Sequence, residues 1–258
     1  MTDFFSSFEP AFSSLLIQLI RSKNNAARLS AINKYRDYKQ AIDKKPLLDL
    51  HKSFCMQLSE ERERWDSYDY GEGYFYQGLK SLGITGLRDT DARIAEMHLK
   101  DRVKGKSVLE IGCNTGFLAL GLADTAQHIV GLDINPHLIS IAQEAARFVG
   151  ASNVIFIVES FENFARDQSF DCVISFSNHS TFDGNVKMSL RKYFQKCSAQ
   201  LRSGGSFLFE SHPPFMEKDV FENTVKLIEE HFSILERNTL FYGTYLDSNR
   251  TFIVGTKR

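Results

Sequence analysis

From Val103 onward, short apolar runs alternate with helical stretches, and this alternation constrains the fold of the 258-residue chain more than any other feature. SVLEI has the pattern of a short buried strand and GFLALGLADTA that of a helix. HIVGLDI is a strand, and PHLISIAQEAARFVG a helix with Pro136 suited to its first turn and Gly150 to its C-cap. NVIFIVES and FDCVISFS read as two more strands. VKMSLRKYFQKCSAQL is an amphipathic helix closed by Gly204 and Gly205, and SFLFES is a fifth strand. Strands joined through helices make a parallel sheet covered on both faces. After ENTVKLIEEH, the runs FSILERNTL and TFIVGTK flank the turn-rich YGTYLDSN, a hairpin that adds an antiparallel strand. The expected class is α/β, a doubly wound and mostly parallel sheet with an antiparallel C-terminal hairpin.

The chain before Val103 has another character. Residues 10 to 62 read as helical: Leu15, Leu16, Leu19 and Ile20 recur at helical spacing, and Pro46 opens a helix through LLDLHKSFCMQL. Residues 63 to 93 are crowded with glycine and with Trp65, Tyr68, Tyr70, Tyr74, Phe75 and Tyr76. Such a stretch is either an ordered loop packed on a helix or a lid over a pocket. The expected division is a helical extension (1–62), a linker or lid with a lead-in helix (63–102), and the α/β domain (103–258).

Composition narrows the partners. Lys plus Arg is 31 and Asp plus Glu is 32, a formal net charge of −1, which argues against a globally basic nucleic-acid binder. The four cysteines, Cys55, Cys113, Cys172 and Cys197, are far apart and form no CxxC pair, so free thiols in a reducing compartment are expected, and no metal. LLIQLI is too short to span a membrane. A cytoplasmic protein without membrane contact is expected, with a homodimer through the N-terminal helices as one arrangement.

In a doubly wound sheet, ligands bind beyond the carboxyl ends of the strands. Gly112 and Gly116 of EIGCNTG stand there, where glycine lets the backbone turn sharply and approach a ligand, and the following helix offers N–H groups. Asp133 ends the next strand, where an acid can accept both ribose hydroxyls of an adenosine. Glu110 immediately before the turn is awkward for a pyrophosphate; it suits an ammonium or a tightened loop. The loop is also not GxGxxG, and the Tyr76–Lys80 spacing precedes the glycine loop, the wrong place for a short-chain reductase.

VLEIGCNTG, VGLDINP, FDCVISFS and LRSGGSFLFES, in this order and spacing, resemble the class I S-adenosylmethionine-dependent methyltransferases over about 60% of the chain, from Val103 to Lys257. The resemblance implies a seven-stranded sheet whose last strand is antiparallel. It implies that Glu110 and the loop Gly112, Cys113, Asn114, Thr115 and Gly116 embrace the methionine half of S-adenosyl-L-methionine. Asp133 would hold the ribose, Ile134 would pack on the adenine, and Glu159, Ser160 and Phe161 would lie near the adenine amino group. Ser177 and Asn178 would border the reacting methyl. Many members have glycine where this chain has Asn114.

An acceptor that must lose a proton needs a base, and histidine is best placed near neutral pH. His179 follows the fourth strand and His212 the fifth, each with a structural role as its alternative; the other five histidines are given none. Asp183 would orient a histidine, bind a hydroxyl or simply turn the chain before Gly184. Glu210 would bind a cation or hydroxyl, and Tyr70, Tyr74, Tyr76 and Gln77 would close over the site. Arg88 or Arg93 would pair with the cofactor carboxylate.

SNHS stands where DNA-base amino-methylating enzymes carry Asn-Pro-Pro-Tyr, and no cysteine pair suggests C5 chemistry. The leading acceptor is a small molecule, such as a sugar, metabolite or natural-product intermediate, methylated on oxygen or nitrogen. The alternatives are a tRNA wobble-uridine alkyltransferase, whose group shares a helical extension and a GCN loop, and a non-catalytic cofactor-binding partner subunit. The basic residues of the extension touch phosphates in the tRNA reading and form a solvated helix face otherwise.

Overall fold

The structure, a computed structural model, describes residues 25–65, 69–165, 169–179, 187–212, 221–241 and 249–258. The helix expected around Leu15 to Ile20, as well as Tyr68 and Asp183, lies outside these residues.

Seven strands form one sheet: β3 (Ser107–Ile111), β4 (His128–Asp133), β5 (Val154–Val158), β6 (Phe170–Phe176), β7 (Leu201–Glu210), β8 (Phe232–Thr239) and β9 (Thr251–Lys257), in the order β5-β4-β3-β6-β7-β9-β8. β3 pairs in parallel with β4 on one side and β6 on the other. β9 runs antiparallel between β7 and β8. The sheet and its antiparallel end are those expected. Chain direction reverses laterally at β3: β4 and β5 lie to one side, β6 and β7 to the other. Such a switch point opens a crevice between β3 and β6.

The core explains the sequence pattern. All five residues of β3 are buried, because helices cover both of its faces. Val108, Ile174 and Leu208 belong to the core on one face, Leu109, Val173 and Phe209 to that on the other, as a two-residue side-chain period requires. The connecting helices are α5 (Phe117–Leu122), α6 (Pro136–Val149), α7 (Leu190–Ala199) and α8 (Phe221–Glu229). α6 begins at Pro136 and ends on Gly150, as its sequence requires. One boundary differs. Gly204 and Gly205 were expected to close a helix; they fall inside β7, which begins at Leu201. An irregularity between Phe170 and Cys172 accommodates the extra residues of β7, so its glycines occupy a bulged entry to the strand.

Ahead of the sheet lie α1 (Asn25–Ala41), α2 (Lys45–Arg64), the two-residue parallel pair β1 (Gln77–Gly78) and β2 (Arg88–Asp89), α3 (Thr90–Glu96) and α4 (Leu99–Val103). The aromatic stretch between α2 and β1 is packed on α2: Phe75 meets Phe54 edge-on at 5.6 Å and stacks on Phe117 at 5.4 Å. α2 is fastened to α6 by Ser53 and Gln57, which donate to Glu144 at 2.8 and 2.6 Å. Asn135, the cap of α6, donates to Glu61 at 3.0 Å.

Candidate active site

The loop after β3 is built for close backbone approach. Gly112 and Gly116 have φ of +66° and +72°, in the left-handed region that glycine enters without strain. A Cβ on Gly116 would stand 2.4 Å from Phe156 Cζ, and one on Gly112 2.9 Å from Asn178 Nδ2. Asn114 also has a positive φ, +54°, and asparagine is the residue after glycine that tolerates it. Asp133 ties the loop to the end of β4: its Oδ2 accepts from Asn114 N at 2.8 Å and its Oδ1 from Asn135 N at 3.0 Å. Asp133 and Ile134 stay half-buried at the rim.

Beneath the loop sits Glu110. Its side chain is buried, and burial, opposed in part by Arg93, pushes its carboxyl up to about 8. Glu110 Oε2 is buried without a hydrogen-bond partner, and so are Thr115 Oγ1 and Gln77 Oε1. Buried polar atoms of native proteins mostly find partners, so the orphaned Glu110 and Thr115 oxygens beside the loop are candidates to meet a ligand's donor. The left-handed loop, the ribose-type acid and the orphaned carboxyl fit an adenosine cofactor bearing an ammonium. Cys113 is buried in the loop, and burial raises its thiol well above the ordinary range, so it packs rather than reacts.

The ends of β6 and β7 form the other wall. Asn178 donates to the Ile111 carbonyl, and its Oδ1 accepts from Ser175 and Tyr193 at 2.8 and 2.7 Å. It therefore joins β3 to β6 and positions the loop above it. Ser177 has φ +55° and donates to the Ser211 carbonyl at 2.9 Å. Glu210 is fully buried, with Arg88 at 2.7 Å on one oxygen and Arg93 at 2.8 Å on the other. Despite its burial, these guanidiniums and that of Arg250 hold its carboxyl far below the usual carboxylate range. Tyr76 lies at 3.4 Å from Arg88 and tilts against Tyr70 at 5.8 Å.

His179 and His212 come together, ring centroids 4.9 Å apart and both buried. His179 also packs on Phe209 at 4.9 Å and on Phe194. Consecutive strand residues face opposite sides, so His179 stands with Phe209 on one face while Glu210 and its arginines stand on the other. Ser177 and Ser211 link the two groups at the sheet edge.

Other expected residues are placed differently. Tyr74 is a core residue: its hydroxyl donates to Asp37 of α1 at 3.0 Å and its ring meets Phe75, because a buried phenol seeks a partner and Asp37 supplies one. It fastens the N-terminal helices rather than facing the strand ends. Phe161 packs edge-on against Tyr193 at 5.3 Å, and Ser160 is half-buried beside it. Arg88 and Arg93, expected to meet a cofactor carboxylate, are engaged by Glu210. Sequence reasoning missed Arg250, Tyr193 and Asn135; of these only Asn135, preceding Pro136, carries a local signal, that of a helix cap. Among the described residues no group of His, Cys, Asp and Glu is arranged to hold a metal, and no helix is long and apolar enough to cross a membrane.

Comparison with known proteins agrees with this geometry. Residues 102–245 match a family described as a methyltransferase domain. A Geobacillus sp. (strain WCH70) protein named as a methyltransferase is 26% identical over 158 residues, 61% of this chain and 56% of the relative. Phosphoethanolamine N-methyltransferase 1 of Arabidopsis thaliana is 30% identical over 142 residues, 55% of this chain and 27% of the relative. The chain thus spans little more than half of the first relative and about a quarter of the second. The N-methyltransferase NodS from Bradyrhizobium japonicum WM9, solved with S-adenosyl-L-homocysteine, superposes with a TM-score of 0.54 over 79% of this chain and 98% of that one. At 15% identity that likeness is one of fold. With a family match over more than half its length and a glycine loop, acid and strand order to go with it, the chain belongs to the S-adenosylmethionine-dependent methyltransferases.

Proposed function

We propose that this chain transfers a methyl group from S-adenosyl-L-methionine to the oxygen or nitrogen of a small-molecule acceptor. The observation that carries the reading is Glu110, a buried acid with an orphaned oxygen under a left-handed glycine loop. Glu110 and residues 112–116 would hold the amino-acid end of the cofactor, and Asp133 its ribose. The cofactor supplies an activated methyl and its own leaving group. The protein orients the acceptor and removes its proton. His179 and His212, adjacent at the ends of β6 and β7, are the candidates for that proton. The small size of the acceptor is supported by the strand ends themselves: His179, His212 and Glu210 are all buried, so they do not form an exposed basic face. The formal charge of −1 points the same way.

Calorimetric titration with S-adenosylhomocysteine, with NAD as comparison, tests the cofactor; tight binding of NAD in its place would overturn the reading. Incubation with methyl-labelled cofactor and either a small-molecule extract or bulk tRNA tests the acceptor. Label should enter the low-mass fraction; label in tRNA would put the wobble-uridine reading in its place. Replacing the catalytic base should slow transfer by roughly 10²–10⁴-fold with S-adenosylhomocysteine affinity intact. His179→Ala and His212→Ala are the variants, and full turnover in both would remove the histidines from the chemistry.

A further inference from the structure

Tyr193, on α7, is buried and touches two walls of the site at once. Its hydroxyl lies 2.7 Å from Asn178 Oδ1 and 2.8 Å from Ser175 Oγ, and Ser175 Oγ donates to the same Asn178 oxygen at 2.8 Å. Asn178 turns its amide nitrogen the other way and donates to the Ile111 carbonyl. That carbonyl ends β3: the β3–β6 register stops at Ile111 and Ser175, and Gly112 follows in the left-handed region. Asn178 is packed so closely on this turn that a Cβ on Gly112 would stand 3.0 Å from Asn178 Cβ. On its other side the Tyr193 ring meets Phe161 edge-on at 5.3 Å. One turn further along α7, Lys196 donates to the Glu162 carbonyl at 2.7 Å and fastens the Phe161 segment to the same helix.

A phenylalanine would fill the same space between Phe161 and Phe194. Packing therefore accounts for the ring of Tyr193 and leaves its hydroxyl unexplained. The residue belongs to an apolar cluster with Leu109, Val173 and Phe209, where a hydroxyl costs free energy unless it is bonded. Three buried polar groups, those of Ser175, Asn178 and Tyr193, converge here on one carbonyl at the entry to the glycine loop. Asn178 Oδ1 carries no proton and is the acceptor of the cluster, which turns the amide nitrogen toward Ile111. Burial raises the Tyr193 hydroxyl well above its ordinary range, so it stays protonated and able to donate. Bonded polar groups in a core specify one geometry, and here the geometry is that of the turn at Gly112.

We infer that Tyr193 is a positioning residue for the cofactor: its hydroxyl, acting through Asn178, holds the Gly112 turn in the shape that takes the amino-acid end of S-adenosyl-L-methionine, while its ring backs Phe161 on the adenosine side. The inference rests on the function proposed above. Tyr193 stands behind both walls and acts through them, so removing its hydroxyl alone should affect one end of the ligand and spare the other.

The wild type, Tyr193→Phe and the double variant Tyr193→Phe/Ser175→Ala are titrated calorimetrically with S-adenosylhomocysteine and with methylthioadenosine, which lacks the amino-acid end. Tyr193→Phe should bind S-adenosylhomocysteine at least about threefold more weakly, and the double variant, which leaves Asn178 Oδ1 without either hydroxyl, at least about tenfold more weakly. Both should bind methylthioadenosine within about twofold of the wild type. A hydroxyl that only stabilises the core would weaken both ligands together or neither. Smaller losses of S-adenosylhomocysteine, a greater loss of methylthioadenosine, or a wild type that takes no methylthioadenosine overturns the inference. If the double variant fails to fold, Tyr193→Phe decides alone by its threefold criterion. Failure of the wild type to bind S-adenosylhomocysteine breaks the methyltransferase reading instead, and is seen before any variant is made.

Discussion

Glu110 and Glu210 end two strands of the same sheet, both buried, and they stand in opposite states. Burial pushes Glu110 up to about 8, and one of its oxygens has no partner. Glu210, more deeply buried, is held far below its ordinary value by arginines on both oxygens. The end of β3 therefore lacks a cation that the fold itself does not bring. The end of β7 is already filled with cations from the chain. An end with an orphaned acid and an end rich in guanidinium therefore present opposite electrostatics within one sheet.

The largest effect should come from breaking the filled end. Glu210→Gln leaves Arg88 and Arg93 buried without their anion, and removing one partner of a buried pair costs about 3–5 kcal/mol. Glu110→Gln at pH 6.5 replaces an already protonated carboxyl with a neutral amide and should cost less than about 1 kcal/mol. Urea unfolding of the two variants checks the ratio. Equal losses would erase the distinction between the two strand ends.

The same contrast explains what was legible before the fold was known. At the end of β3 the meaning lies in short spacings: Gly112, Asn114 and Gly116 follow Glu110 within one turn, and Asp133 meets Asn114 only 19 residues on. Short continuous apolar runs then mark the strands on either side. At the end of β7 nothing is local. Arg88 and Arg93 reach Glu210 across 122 and 117 residues, and Arg250 reaches Ser177 across 73. No periodicity or turn chemistry announces such a meeting; it follows from the sheet order, which sets β9 beside β7, and from the packing of the segment before the sheet. Tyr74 shows the converse: an aromatic cluster signals burial, but which face it covers depended on Asp37, far back in α1.

An intermediate effect should come from the loop. Asp133→Ala removes the acceptor of Asn114 N and Asn135 N and the candidate partner of the ribose, so S-adenosylhomocysteine should bind roughly 10–100-fold more weakly in calorimetry. Gly116→Ala sets a methyl 2.4 Å from the Phe156 ring at a φ of +72° and should cost about 1–3 kcal/mol of stability. Loss of affinity in Asp133→Ala without loss of stability would sharpen the comparison, because it separates a residue that serves the ligand from one that serves the loop.

The smallest expected signal, a single proton, bears most directly on the difference between the two acids. Glu110 has a folded-state pKa of about 8 against an ordinary 4.5, so the folded chain holds a proton that the unfolded chain has lost between those values. Its contribution to stability is complete below pH 4.5, declines as pH rises, and is gone above about 8. Glu210 runs the other way: its folded pKa is depressed, so its contribution is complete above the unfolded carboxylate pKa and is lost on acidification. Glu110→Gln should therefore flatten the decline in stability between pH 5 and 8 while leaving the acid limb in place. An ammonium arriving beside Glu110 favours the carboxylate. Binding of S-adenosylhomocysteine near pH 6.5 should then release about one proton, seen as a binding enthalpy that varies with the ionisation enthalpy of the buffer. The release should vanish above pH 9 and in Glu110→Gln. Binding without proton release at pH 6.5 would mean that Glu110 stays neutral beneath the bound cofactor, and that its burial serves to tighten the loop rather than to meet a charge.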